Sequence, residues 1–251
     1  MMKTLYETWI DDENKAFEGW NFSYLEDRWK NDEISWNYRN IVENYIDNNK
    51  KLLDMGTGGG EFLLSLNHPY DNTTVTEAWE PNIQLCKERL SPLRINVVPI
   101  IDDSNIPLPD NSFDIIINRH EAYDLSEVFR LLKPNGVFIT QQVGAKDCLS
   151  LAKSINSNYT SMYKDFTLDN ELKLFVENGF NVTYSNEEFP LLSFYDVGAI
   201  VYFAKIIQWT FPDFSVDKNI VQLKELQKTL EENGVISTKQ HRFIIVANKK
   251  G

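Results

Sequence analysis

The chain has 251 residues, 42% hydrophobic and 25% charged, with a formal net charge of −12; these are the values of an ordinary globular protein able to bury a sizeable core, as one large α/β domain or a domain with an appended cap. No long basic run is available to neutralise phosphates, which disfavours duplex nucleic acid as a partner, and two cysteines without metal-site spacing, Cys86 and Cys148, exclude a disulfide framework. Residues 1–18 hold no apolar signal core, and the longest apolar stretch, 197–211, contains Lys205 and Gln208 and is too short to span a bilayer, so a reduced cytoplasmic setting with no membrane and no bound metal is expected.

Residues 1–31 are dense in aromatics (Tyr6, Trp9, Phe17, Trp20, Phe22, Tyr24, Trp29) but carry no clean helix period. Ile34, Tyr38, Ile41, Val42, Tyr45 and Ile46 recur at helical spacing and predict an amphipathic helix over 34–47. Next comes Lys51-Leu52-Leu53-Asp54-Met55-Gly56-Thr57-Gly58-Gly59-Gly60-Glu61-Phe62-Leu63, an apolar run ending in a carboxylate, a glycine-dense turn and a renewed apolar pattern. This reads as a strand over 52–54, a tight loop and a helix over 59–66. Glycines there permit φ > 0 and close approach of a ligand to the main chain. Free N–H groups of the helix start are expected to face that ligand. The dinucleotide fingerprint G-x-G-x-x-G fails at its third glycine, where Glu61 stands, and no P-loop lysine follows. The pattern is instead Asp54-x-Gly56-x-Gly58-x-Gly60. An acid at that place suits a ligand carrying an ammonium and a sulfonium rather than a pyrophosphate.

At these residues the sequence resembles the class I S-adenosylmethionine (SAM)-dependent methyltransferases, whose first motif is an acid followed by G-x-G-x-G. The residues downstream extend the likeness. A strand over 73–76 ends at Glu77, 23 positions after Asp54, where a Rossmann-like site places a ribose-binding carboxylate. A helix opened by Pro81 follows, then a strand over 95–100. Asp102, Ile106-Pro107-Leu108-Pro109 and Phe113-Asp114 match an acid, L-P-F-P and F-D segment of the family. A strand over 113–117 runs into Asn118-Arg119-His120-Glu121-Ala122-Tyr123, and a helix over 126–132 is closed by a turn at Lys133-Pro134-Asn135-Gly136. That turn resembles the family's R-x-L-K-P-G-G, with Asn135 departing from its first glycine. The next strand covers 137–142.

The resemblance implies a cofactor site of Asp54, Gly56, Thr57, Gly58, Gly60, Glu77, Ala78, Asp102, Asp103 and Asn118, with Glu77 on the ribose (Glu80 as runner-up) and Asp102 on the adenine amino group. SAM is the implied cofactor. The acceptor side falls on 118–123. His120 and Glu121 are the acid–base candidates there, since neutral histidine is a competent base near pH 7; a role for His120 as a strand cap or cofactor contact stays open beside it. Arg119 is open to binding an acidic acceptor or pairing with Glu121. The region lacks [DNS]-P-P-[YFW] and has no nearby cysteine nucleophile, so base-amine and cytosine-carbon methylation are disfavoured. A small-molecule acceptor is favoured, with RNA or protein acceptors not excluded.

Beyond Gly144 helices are expected over 168–178, 194–209 and 217–233, and strands over 182–189 and 242–247. The expected architecture is α/β: a Rossmann-like, doubly wound, mostly parallel seven-stranded sheet with an N-terminal helical lid and a C-terminal helical insertion. It forms one methyltransferase domain over 1–251, divided into a lid segment 1–48, a SAM-binding core 49–145 and a C-terminal part 146–251. The two rival readings are an NAD(P)-dependent oxidoreductase on the same architecture and a non-catalytic SAM-binding protein.

Overall fold

The structure, a computed structural model, describes residues 3–17 and 22–250; Trp20 of the aromatic run lies outside them. In chain order its elements are α1 (Leu5–Glu13), β1 (Trp29–Asn31), α2 (Tyr38–Glu43), β2 (Leu52–Met55), α3 (Glu61–Ser65), β3 (Thr73–Glu77), α4 (Glu80–Arg89), β4 (Asn96–Pro99), β5 (Phe113–Arg119), α5 (Leu125–Leu131), β6 (Leu132–Val143), α6 (Leu149–Ile155), α7 (Leu168–Glu177), β7 (Phe180–Glu188), β8 (Leu191–Phe194), α8 (Val197–Ile206), α9 (Ile220–Asn233), β9 (Ile236–Lys239) and β10 (Arg242–Lys249). They divide into two compact units.

One unit comprises Ser35–Val143, Thr167–Glu187 and Phe243–Gly251. Its seven-stranded sheet has the order β4-β3-β2-β5-β6-β10-β7. The pairs β2·β3, β2·β5, β3·β4 and β5·β6 are parallel. Strands covered on both faces should read as continuous apolar runs, and Leu52-Leu53, Ile115-Ile116-Ile117 and Phe243-Ile244-Ile245-Val246 are all buried. The last strand reverses direction beside β7: the Lys250 N–H donates to the Gly179 carbonyl and the Thr183 hydroxyl to the Val246 carbonyl, both at 3.2 Å, so rising numbers on one strand meet falling numbers on the other. Register sets the site. Met55 pairs with Asn118 and with Thr76, and Glu77 pairs with Pro99, so the carboxyl ends of β2, β3, β4 and β5 meet at one edge of the sheet, where open α/β sheets bind ligands.

The other unit comprises Met1–Ile34, Gly144–Phe166 and Glu188–Arg242. An antiparallel sheet of order β1-β8-β9 shares a core with α1, α6, α8 and α9, built from residues such as Trp9, Phe194, Tyr202, Phe203 and Leu223. Trp9 lies in this core and Phe17, Phe22, Tyr24 and Trp29 pack against it: Phe22 and Trp29 lie 5.5 Å apart, Trp29 and Phe203 5.9 Å. The helix α8 is buried along Val197–Ala204, as its apolar composition requires.

Several boundaries differ from expectation. The helix over 34–47 contracts to Tyr38–Glu43, because the Asn37 side chain accepts the Asn40 N–H at 3.1 Å and caps it late. The helix expected over 194–209 starts only at Val197, after Asp196 accepts the Ala199 N–H at 2.7 Å, and Phe194 closes β8 instead. The turn at 133–136 is an irregularity inside β6: Leu132 pairs with Phe113 and Val137 with Ile115, and Asn135 takes φ +64° in the bulge. The insertion between β7 and β10 holds strands as well as helices, and α1, α6 and β1 had no sequence signal. No helix among the described residues is long and apolar enough to cross a membrane.

Candidate functional site

The loop leaving β2 is left-handed at Gly56 (φ +63°), Gly58 (+61°) and Gly60 (+78°), a conformation that favours glycine. Four of its amides are already engaged. Gly56 and Thr57 N–H donate to the Thr76 carbonyl at 3.1 and 3.3 Å, Gly58 N–H to Glu77 at 2.9 Å and Gly60 N–H to the Thr57 carbonyl at 3.1 Å. Through these four amides the loop is stitched to β3 and to itself; the helix behind it, α3, has only five residues. With those donors engaged the loop offers a phosphate few main-chain contacts, which agrees with the failed phosphate fingerprints.

The acids sit around this loop. Asp54 is buried and accepts the Thr57 hydroxyl at 2.7 Å. Burial pushes its carboxyl up to about 7, with Glu77 adding to the rise while Thr57 and Arg119 oppose it. Glu77 is buried and accepts from four donors: the Ala78 and Trp79 N–H groups at 3.0 Å, the Gly58 N–H at 2.9 Å and the Asn82 amide at 3.4 Å. It latches the end of β3 to the glycine loop. Ala78 contributes through that bond, and Glu80 bonds Gln84 on its own helix. Asp102 is exposed and holds a tight turn, accepting the Ser104 N–H and hydroxyl, which lowers its pKa. Its neighbour Asp103 is half-buried, and burial followed by the charges of Glu121, Asp102, Asp124 and Glu77 raises it to about 6. Glu121 is raised by burial and then by Glu77. Its side chain lies over the loop, since a methyl built on Gly56 would fall 2.2 Å from its Cγ. None of Asp54, Glu77, Asp103 or Glu121 forms an ion pair among the described residues. Among those residues no group of three His, Cys, Asp or Glu side chains is placed to hold a metal ion.

Beyond β5 the polar side chains form two networks. Asn118 is fully buried; its amide donates to the Ala122 carbonyl at 3.1 Å and its oxygen accepts from Thr140 at 3.0 Å and Gln142 at 2.6 Å. Gln142 also donates to the Glu121 carbonyl at 3.0 Å. This network shapes the 119–122 turn and occupies the Asn118 side chain. The second network fixes His120. Its backbone, at φ +62°, donates to the Gln141 carbonyl. The Trp36 indole, a donor only, bonds the Gln141 oxygen at 2.8 Å, which orients the Gln141 NH₂ toward His120 Nε2 at 3.1 Å. The Nε2 is thus an acceptor, and a neutral ring carries its proton on Nδ1.

Sequence reasoning missed four flanking groups. Trp79 and Ile101, beyond the ends of β3 and β4, are 54% and 97% exposed; an apolar residue set among acids was the available signal. Tyr38 donates to the Asn118 carbonyl at 3.1 Å and packs against Phe62 in a tilted pair, ring centroids 5.3 Å apart. Nothing local in the sequence ties these two to the site. The other histidines serve structure. His68 bonds the Lys50 carbonyl at 2.9 Å, and buried His241 accepts the Lys146 N–H at 3.1 Å.

Comparison with known proteins bears on the fold and on the domain that carries these residues. Residues 53–140 match the family model of the methyltransferase domain. An uncharacterized protein of Methanocaldococcus jannaschii is 27% identical over 222 residues, 78% of this chain and 90% of that protein. An uncharacterized methyltransferase of a Geobacillus species is 23% identical, over 73% of this chain and 91% of its own. Among solved structures, a SAM-dependent methyltransferase from Methanosarcina mazei superposes with a TM-score of 0.52 at 17% identity, covering 84% of this chain and 97% of that one. Residues 53–140 thus match a methyltransferase domain, on a fold shared with the solved methyltransferase structure.

Proposed function

We propose that the sheet edge formed by β2, β3, β4 and β5 binds SAM through Asp54, Gly56, Thr57, Gly58, Gly60, Glu77, Ala78, Asp102, Asp103 and Asn118, and that the methyl group passes to a small-molecule acceptor by in-line displacement. The observation that carries this reading is the set of unpaired carboxylates. Burial and mutual repulsion raise Asp54 to about 7 and Asp103 to about 6, and a cationic ligand relieves both penalties. SAM supplies a sulfonium and an ammonium, and its methyl is already activated for transfer. The chain's own residues then align and exclude water. Trp79 and Ile101 offer exposed apolar surface beside Glu77 and Asp102 for the adenine ring. Asp103, facing the other acids, is better placed than Asp102 to take the adenine amino group as a further acceptor.

Where the acceptor must lose a proton, Glu121 and His120 are the groups at hand. Glu121 has a raised carboxyl that gains from taking a proton. His120 takes one on Nε2 only after releasing the Gln141 amide. The net charge of −12 favours a small acceptor over a polyanion. We read 1–251 as one functional methyltransferase in which 49–145 is the cofactor-binding core and 1–48 and 146–251 are its flanking segments. The test is a SAM titration followed by a turnover screen: SAM binding and S-adenosylhomocysteine formed with at least one small acceptor support the reading. SAM bound with no turnover across a broad panel would favour a regulatory SAM-binding role, and NADH bound in place of SAM would favour an oxidoreductase.

A further inference from the structure

The sequence holds seven arginines, and six of them form ion pairs with aspartate or glutamate in the structure. Arg119 is the exception: among the described residues its guanidinium has no carboxylate within ion-pair distance and no hydrogen-bond acceptor. In a chain with 37 acidic side chains against 25 basic ones, a lone arginine is the unusual outcome. It is also not a stray surface residue. Arg119 ends β5, paired in register with Gln141, at the sheet edge that carries the carboxylates. Its guanidinium carbon lies 4.7 Å from the Phe62 ring centroid and 6.0 Å from that of Tyr38. The obvious partner, Glu121, turns instead toward the glycine loop and the Ala122 N–H.

A guanidinium resting on two aromatic faces loses less side-chain freedom on binding than a free one, and its planar fork of five N–H groups matches a carboxylate in two-point contact. We propose that Arg119 is the anchor for a carboxylate borne by a ligand of this site. A phosphate fits less well, because four of the loop amides are engaged and the surrounding acids repel a doubly charged group more strongly. The carboxylate has two sources: the amino-acid end of SAM, or an acid group on the methyl acceptor. The inference rests on the SAM-binding reading for both sources, since a methyl acceptor presupposes the methyl donor.

Arg119→Gln and Arg119→Lys separate the cases, with unchanged circular dichroism and melting temperature as the control for folding. Each protein is titrated with SAM and with decarboxylated SAM. Each is also melted with S-adenosylhomocysteine against a panel of small mono- and dicarboxylic acids and their methyl esters. If the cofactor is the source, Arg119→Gln binds SAM at least tenfold more weakly and decarboxylated SAM unchanged. If the acceptor is the source, SAM affinity holds, while an acid, not its ester, raises the melting temperature of the wild type only. The lysine variant, which keeps the charge but loses the fork, retains part of either effect. Equal SAM affinity in wild type and Arg119→Gln, with no acid-specific stabilisation beyond that of the variant, overturns the proposal. Failure of the wild type to bind SAM overturns the cofactor reading instead and leaves Arg119 to be judged on the acid panel.

Discussion

Asp54 is a carboxylate that the fold holds against its own chemistry, buried beside Glu77 with only the Thr57 hydroxyl and the nearby Arg119 charge in its favour. A raised folded pKa means that the native state binds protons the unfolded chain has lost. From Asp54 at about 7 and Asp103 at about 6, ligand-free stability falls as pH rises from about 4 to about 7 through these groups. Asp54→Asn removes the Asp54 part while keeping an acceptor for Thr57, so the variant should melt at or above the wild type, with a margin that widens from pH 5 to pH 8 in thermal scans. The same substitution should weaken SAM binding by roughly 1–3 kcal/mol, as for a lost charged hydrogen bond; a titration with unchanged affinity would remove Asp54 from the site. At Trp36, replacement by phenylalanine deletes the donor that orients Gln141. Nitrogen NMR of His120 should then show loss of the fixed Nδ1–H tautomer, with the fold intact. Asp54 and Glu77 were legible in the sequence because an acid before a glycine run, or at a strand end, is a local pattern. The Trp36–Gln141–His120 chain was not, because its members lie 105 and 21 positions apart and meet only through tertiary packing.

At the scale of elements, the strands of the parallel sheet were readable to within a few residues because continuous apolar runs bounded by glycine, proline and acids leave few alternatives. The helices around them were harder to bound. Asn37 and Asp196 each set a start that periodicity alone placed earlier, since a cap acts through one side chain and not through a repeat. The burial of α8 has a specific dependence of its own. A methyl on Gly198 would fall 1.9 Å from Asp12 Oδ2, and Asp12 is tied to Arg28 at 2.8 Å and to Tyr24 at 2.7 Å, so it cannot swing away without breaking both. Gly198→Ala should therefore destabilise the protein by about 1–3 kcal/mol, the range for forced overpacking, read as a lowered denaturant midpoint with unchanged slope. A neutral result would mean that the Asp12–Arg28–Asp196 cluster yields without loss.

For the molecule as a whole, the sheet order β4-β3-β2-β5-β6-β10-β7 agrees with the expectation of an α/β, mostly parallel seven-stranded sheet. The second unit was not foreseen as such. Its three strands come from 29–31, 191–194 and 236–239, segments of three or four residues that carry almost no alternation to read, and their pairing spans most of the chain. Charge is the property that links composition to site. At the carboxyl edge of the larger sheet, burial raises two of the acids seen in the sequence, Asp54 and Asp103, to about 7 and about 6. The measurement that tests this most directly is calorimetric titration of SAM into the wild type near pH 6.5, in buffers of different ionisation enthalpy. Binding a cation among raised carboxylates must drive protons off, so the account predicts SAM binding with net proton release, weakening as pH falls from 7 to 5. No binding, or binding with no proton release and no pH dependence, would contradict it.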